Sequence, residues 1–177
     1  MIALHQRKGP DMPLALVSLI FTGAIFGFFY AWVCSTMWGL DAADPRVAIA
    51  AMQAMNASVR NAVFAPAFFG TPVVLAAAAW AAWRTARPAG VAFAAASAIY
   101  LGFGLVLTMA VNVPMNEALA QVAVPTDRAA AAAIWDAYSP RWQTWNVVRT
   151  AASGLALLLA GWAVWRLGRA GRSPERG

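Results

Sequence analysis

The residues whose types and spacing are best suited to chemistry form an aromatic stripe that ends in an arginine. Tyr138, Trp142, Trp145 and Arg149 recur at intervals of 4, 3 and 4 residues, which places them on one face of a helix. Aromatic rings stack on a flat ligand, and a guanidinium forms paired hydrogen bonds with its oxygens. The stripe suits a planar, anionic aromatic ligand. The alternative is a belt of interface anchors with an arginine that extends outward.

A second group of candidates consists of amide side chains that fall on the same side of the apolar stretches. Asn146 precedes Arg149 by one helical turn, and the others come from two separate segments. The candidate ligand-facing amides are Gln53, Asn56, Asn112, Asn116 and Asn146. Helix caps beside a proline are an equally open interpretation for Asn112 and Asn116, as is the wet face of a surface helix for Gln53 and Asn56.

Residues that bind metals are scarce. His5 is the single histidine and Cys34 the single cysteine, so one chain cannot assemble two axial haem histidines, a two-histidine iron site or an internal disulfide. The sequence therefore predicts no metal site and no bound cofactor. Glu117 is the carboxylate nearest the Asn-Pro segment. It is interpreted as a solvated side chain, a partner for Arg149 or a proton acceptor.

The elements that must position these residues are four long apolar stretches. Each is long enough to cross a bilayer core, which takes about 20 residues of helix. The chain is 62% hydrophobic and 11% charged, against about 25% charged residues in a soluble domain. We expect one all-α membrane domain over residues 1–177, a bundle of four transmembrane helices with short amphipathic helices on the non-cytoplasmic side. The predicted spans are 14–38, 61–83, 90–111 and 147–167, with polar tails at 1–13 and 168–177.

The net charge of +6 is explained by topology and not by binding to nucleic acid. Basic residues concentrate on one side of the predicted spans, where they indicate cytoplasmic termini and a multi-pass protein of the inner or plasma membrane. The opposite loops carry arginines that are offset by acidic residues. The basic side holds Arg7, Lys8, Arg84, Arg87, Arg166, Arg169, Arg172 and Arg176.

Prolines predict where the helices on the opposite side begin and end. Asp44-Pro45 has the pattern of an N-cap followed by proline in the first turn, and residues 46–63 are expected to continue as an amphipathic helix into the second span. Pro114 is expected to end the third span, with Asn116 capping a new short helix. Ser139-Pro140 is expected to begin the last long helix.

Several of these blocks together resemble the anthrone oxygenase-like family of small four-span membrane proteins. The resemblance covers roughly residues 15–165, and its most specific parts are the Asn-Val-Pro-Met-Asn and Trp-Asn-Val-Val-Arg-Thr blocks. The blocks are Gly27-Phe28-Phe29 with Trp32, Met52-Gln53-Ala54-Met55-Asn56, Asn112-Val113-Pro114-Met115-Asn116, Trp135 with Tyr138, and Trp142 with Trp145-Asn146-Val147-Val148-Arg149-Thr150.

The resemblance implies oxidation of an anthrone-like compound to a quinone, with O₂ as co-substrate and no cofactor. An acidic C–H beside an aryl ketone gives a carbanion that passes an electron to O₂, so the protein needs only to remove the proton, hold the anion and exclude water. The implied roles are stabilisation of the enolate oxygen by Arg149 and Asn146, orientation by Asn112 and Asn116, stacking by Trp145, and proton removal by Glu117, the base being the least fixed of these.

A non-enzymatic membrane protein is the alternative class: a binder of lipid or quinone, or an accessory subunit. The predicted partners are membrane lipids and a lipophilic small molecule, and a homo-oligomer is compatible with the sequence. Apolar mid-span positions disfavour ion transport. A hollow of roughly a few hundred Å³ lined by Asn112, Trp145, Asn146 and Arg149 would favour a small-molecule site.

Overall fold

The computed structural model describes residues 11–171, which form five helices joined by short turns. The predicted all-α class is confirmed, and four of the helices are long and apolar enough to cross a membrane. The sequence-predicted tail residues His5, Arg7, Lys8, Arg172 and Arg176 lie outside the described residues. The helices are α1 Asp11–Asp41, α2 Pro45–Ser58, α3 Phe64–Ala82, α4 Arg87–Ala120 and α5 Arg128–Ala170.

The four long helices form a bundle in which each packs against two neighbours. Helix α1 lies against α3 and α5, and α4 lies against the same two helices from the other side. Alanines fill much of the interior, among them the fully buried Ala78, Ala96, Ala156 and Ala160. Small side chains let helix backbones approach closely, which is how membrane helices gain packing energy without a hydrophobic driving force between them.

A smaller layer covers one end of this bundle, here called the α2 end. Ile49 and Met52 of α2 pack with Leu119 near the end of α4 and Trp135 near the start of α5. The Gln53 amide donates hydrogen bonds to the backbone carbonyls of Leu119 (2.8 Å) and Val122 (2.9 Å). This layer therefore fixes α2 across the ends of α4 and α5.

Wide π-helical turns interrupt two of the long helices at Trp32–Thr36, Tyr100–Val106 and Thr108–Asn112. A Cβ on Gly104 would lie 2.6 Å from the Tyr100 ring. Glycine at this position therefore allows the Tyr100 side chain to lie along its own helix. Such π turns are frequent at functional sites.

The prediction that Pro114 ends the third span is wrong. The segment Val113–Ala120 continues directly from the π-helical turn, so α4 is one helix through Ala120. Pro114 is accommodated where the π-helical segment gives way to regular α-helix. Asn116 lies inside the helix and does not cap it, and the Asn112 side chain makes no capping hydrogen bond.

Two other predicted helix boundaries also differ. The amphipathic helix ends at Ser58 and does not run on into the second span, because Asn61 accepts hydrogen bonds from the backbone N–H groups of Val63 (2.8 Å) and Phe64 (2.9 Å) and starts α3 afresh. Ser139-Pro140 lies within α5 and begins no helix. The Ser139 hydroxyl donates to the Asp41 carboxylate, 2.7 Å away.

The predicted N-cap at Asp44 is confirmed. Its carboxylate accepts hydrogen bonds from the backbone N–H of Arg46 (2.9 Å) and from the Arg46 guanidinium (2.8 Å), with Arg128 3.8 Å away. The hydrogen bonds from Arg46 lower the pKa of Asp44 to about 2. The cap is therefore charged throughout the ordinary pH range.

Candidate functional site

A cavity of about 570 Å³ lies where the bundle meets the layer at the α2 end. Its wall is formed largely by aromatic rings from α1, α3 and α5. Polar groups from Asn56, Thr108, Asn116 and Arg149 interrupt this apolar surface. A concave, mostly aromatic space with a few polar groups is typical of sites for small molecules. The aromatic lining residues are Phe28, Phe29, Trp32, Phe64, Phe68, Phe69 and Trp142.

Arg149 is the charged residue most deeply placed at this wall. It is 5% exposed, so its guanidinium is buried and does not extend outward. Nη2 donates to Asn146 Oδ1 (2.7 Å) and Nη1 to Thr108 Oγ1 (3.3 Å), while Nε has no hydrogen-bond partner in the described part of the chain. Within residues 11–171, no carboxylate forms an ion pair with it.

Aromatic rings flank the same guanidinium. Its central carbon lies 4.6 Å from the ring centroid of Phe29 and 5.2 Å from that of Trp142. Asn146 links these elements, because its amide nitrogen donates to the backbone carbonyl of Phe29 (3.1 Å) while its oxygen accepts from Arg149. The cation is thus held between rings of α1 and α5 by cation–π attraction and hydrogen bonds.

Asn116 is the centre of a second polar cluster. Its side-chain oxygen accepts hydrogen bonds from the hydroxyl of Tyr138 (2.8 Å) and from Trp142 Nε1 (2.9 Å). Its amide nitrogen donates to Asn56 Oδ1 (3.0 Å), and Asn56 Nδ2 is buried without a partner among the residues that the structure describes. This network fixes the Trp142 ring at the cavity wall and leaves one amide donor of Asn56 unused.

The cavity reaches the surface beside an ion pair. Arg60 lies 3.2 Å from Glu117, and their side chains are 60% and 58% exposed. Glu117 lines the cavity but pairs with Arg60 and not with Arg149. Its carboxylate is thus at the polar edge of the cavity.

The structure separates the sequence-predicted residues into two sets. Asn56, Asn116, Glu117, Trp142 and Arg149 line the cavity. The others do not line it. Tyr138 and Asn146 bind lining residues from behind the wall, and Gln53 binds backbone carbonyls. Asn112 is fully buried with both amide atoms unpartnered among residues 11–171, and the half-buried Trp145 does not reach the cavity.

Sequence reasoning missed Thr108 and Phe29, the two residues outside α5 that contact the Arg149 guanidinium. The sequence indicated Phe29 only as one member of a phenylalanine-rich block. Thr108 precedes Asn112 by four residues, a spacing that would have placed the two on one helix face, but a hydroxyl within an apolar span carries little signal by itself.

These features define a class of protein: a four-span helical membrane protein with an aromatic cavity and a buried arginine at one end of the bundle. A family model described as anthrone oxygenase matches residues 60–159, more than half of the chain, so the chain belongs to the anthrone oxygenase family. No curated protein and no solved structure matches it. The matched residues include Thr108, Asn116 and Arg149, whereas Phe29 and Asn56 precede them. No cluster of three His, Cys, Asp or Glu side chains suited to a metal ion occurs in the described part of the chain.

Proposed function

We propose that the protein is a membrane-embedded oxygenase that binds a lipophilic aromatic ketone in the cavity and oxidises it with O₂. The observation that carries this proposal is the buried Arg149 guanidinium at the cavity wall, which has no carboxylate beside it among the described residues. A buried cation costs free energy unless hydrogen bonds or an anion offset that cost. An enolate oxygen in the cavity supplies the missing negative charge, and membership of the family supports the reaction class.

The reaction proceeds from an acidic C–H bond. For an anthrone, the CH₂ carbon opposite the ketone loses both hydrogens and gains one oxygen atom of O₂, and the second oxygen atom leaves as water. Removal of the first proton places negative charge on the ketone oxygen. Arg149 stabilises that charge as the buried cation at the cavity wall, and the rings of Phe29 and Trp142 lie beside the aromatic plane.

Glu117 is the proposed proton acceptor. It is the one carboxylate among the described residues that line the cavity. The ion pair with Arg60 positions it at the edge of the cavity. A carboxylate outside the aromatic part of the wall can pass the proton on to water.

The same ion pair favours the alternative function, a binder of lipophilic aromatic compounds without turnover. A carboxylate whose oxygen already accepts a hydrogen bond from Arg60 must give up that bond before the same oxygen can take a proton from a ligand. The two functions share the cavity and differ in whether O₂ is consumed. A test must therefore measure binding and O₂ uptake separately.

The experiment compares Arg149→Met with Arg141→Met, an exposed arginine of the same helix that does not line the cavity. Anthrone binding and anthrone-dependent O₂ uptake are measured on detergent-purified protein whose folding is checked by thermal unfolding. Loss of the positive charge beside the enolate lowers turnover by about 10- to 100-fold in Arg149→Met. Unchanged binding and turnover in that variant would contradict the proposal, and binding without O₂ uptake in the wild type would support the binder.

The proposed location is the inner or plasma membrane with cytoplasmic termini, which puts the cavity on the non-cytoplasmic side. Supporting this, the α3–α4 turn and the end of α5 carry Arg84, Arg87, Arg166 and Arg169. The start of α1 belongs to the same end of the bundle, because the Thr85 hydroxyl donates to the Asp11 carboxylate (2.9 Å).

A further inference from the structure

Two residues of the cavity wall also form part of the outer surface of the bundle. Phe69 of α3 is 51% exposed and Met109 of α4 is 46% exposed, yet both line the cavity. A side chain that faces the interior of a cavity and the exterior of the protein marks a place where the cavity opens. The opening lies between α3 and α4.

These two residues continue the outward apolar surfaces of their helices. Phe69 shares its helix face with the exposed Val73 and Trp80, and Met109 follows Val106 by three residues. Exposed apolar side chains on helices that span a membrane contact lipid chains. The opening therefore faces the acyl-chain region and not water.

The packing of α3 against α4 explains why a gap exists there. Helix α3 packs mainly against residues 87–106 of α4 and diverges from the later part of that helix. The divergence coincides with the two π-helical segments Tyr100–Val106 and Thr108–Asn112, which replace regular α-helix in this part of α4. On the other side of the gap, Phe64 and Phe68 of α3 present rings to the cavity.

An ion pair borders the gap at the α2 end of the bundle. The ion pair between Arg60, just before α3, and Glu117, on α4, crosses the space between the two helices. Glu117 follows Met109 by roughly two turns of helix. The gap thus has one charged edge and apolar sides, and its apolar part suits the passage of an uncharged ligand.

We propose that an uncharged, flat aromatic ligand dissolved in the bilayer reaches the cavity sideways, between Phe69 and Met109. This inference rests on the proposed function for the identity of the ligand. A fused-ring compound partitions strongly into lipid because transfer of its apolar surface out of water is favourable. The lateral route lets it move from lipid to cavity without crossing water.

The first experiment tests the opening without a ligand. The protein is placed in nanodiscs that contain a phospholipid with a diazirine on its acyl chain, irradiated, and analysed by mass spectrometry. We expect adducts on the cavity residues Phe64 and Phe68, reduced at least fivefold by Met109→Trp or by Phe69→Trp. The matched control Val106→Trp, at a 52% exposed position that does not line the cavity, leaves them unchanged. Adducts confined to outward-facing residues such as Val73 and Trp80 would overturn the proposal.

The second experiment follows a ligand. Benzophenone, a lipid-soluble aryl ketone that forms covalent adducts on irradiation, is mixed with the nanodiscs and flashed after increasing delays. We expect cavity adducts to form about tenfold more slowly in Met109→Trp than in the wild type and in Val106→Trp, with a similar final yield. An unchanged rate in Met109→Trp would overturn lateral access while leaving the proposed function intact. An absence of cavity adducts in the wild type at every delay would contradict the proposed function, and the lipid adducts would then decide the opening by themselves.

Discussion

The hydroxyl of Tyr100 on α4 donates a hydrogen bond to the backbone carbonyl of Phe68 on α3, 2.9 Å away. That carbonyl lacks its usual helical donor, because the residue four positions later is Pro72, which has no N–H. Tyr100 is fully buried, and Phe68 lines the cavity. The bond therefore satisfies a carbonyl left free by proline and ties the cavity wall to the neighbouring helix.

We predict that Tyr100→Phe lowers the free energy of unfolding by about 1–3 kcal/mol, because it leaves the Phe68 carbonyl buried without a donor. In a Pro72→Ala background the restored N–H can bind that carbonyl, and the cost of Tyr100→Phe falls. The measurement is a double-mutant cycle of unfolding in mixed micelles. Equal costs in both backgrounds would show that Pro72 and Tyr100 are not coupled.

Asn112 and Asn146 are both fully buried asparagines, but their hydrogen bonding is opposite. Both amide atoms of Asn112 lack partners among residues 11–171, whereas Asn146 binds the Phe29 carbonyl and Arg149. We predict that Asn112→Leu raises the melting temperature by relieving a desolvation cost of about 1–3 kcal/mol, and that Asn146→Leu lowers it. Thermal unfolding in one detergent checks both. A destabilised Asn112→Leu would mean that its amide has a partner in solution.

The parts of this molecule that were predictable depend on local spacing. Apolar length determines the spans, and an interval of four residues along α5 was enough to place Tyr138 and Trp142 together. Capping by Asp44 was also predictable, since a cap and its partner lie two residues apart. In each case the interacting residues lie within a few turns of one helix.

The parts that were not predictable depend on contacts between segments. Asn116 binds Asn56, Tyr138 and Trp142 from two other helices, a role that no local pattern indicates. The π-helical turn before Pro114 removed the expected break, and hydropathy carries no signal for such turns. Trp145 lies less than one helical turn after Trp142, so its side chain leaves α5 in a different direction and does not line the cavity.

The Asp44 cap makes stability depend on pH in a defined window. Its pKa falls from 3.8 in the unfolded chain to about 2 when folded, so its contribution is full above pH 4 and is lost as the pH drops toward 2. Asn caps helices but does not titrate. We predict that the difference in melting temperature between wild type and Asp44→Asn is constant above pH 4 and shrinks between pH 4 and pH 2. A constant difference across that window would rule out the lowered pKa.

The ion pair with Arg60 is compatible with two roles for Glu117, proton removal from the substrate or stabilisation of the cavity edge. Two variants distinguish these roles. Both Glu117→Gln and Arg60→Gln break the same exposed pair, which contributes at most about 1 kcal/mol to stability. Only Glu117→Gln removes the carboxylate. If Glu117 accepts the substrate proton, Glu117→Gln lowers anthrone-dependent O₂ uptake by about 100- to 10,000-fold. Arg60→Gln frees the carboxylate from its partner and retains far more turnover.

Steady-state O₂ uptake, measured with an electrode on the two variants alongside ligand binding, distinguishes the two roles of Glu117. Equal losses in both would assign Glu117 to holding the edge of the cavity and would move the search for the base elsewhere.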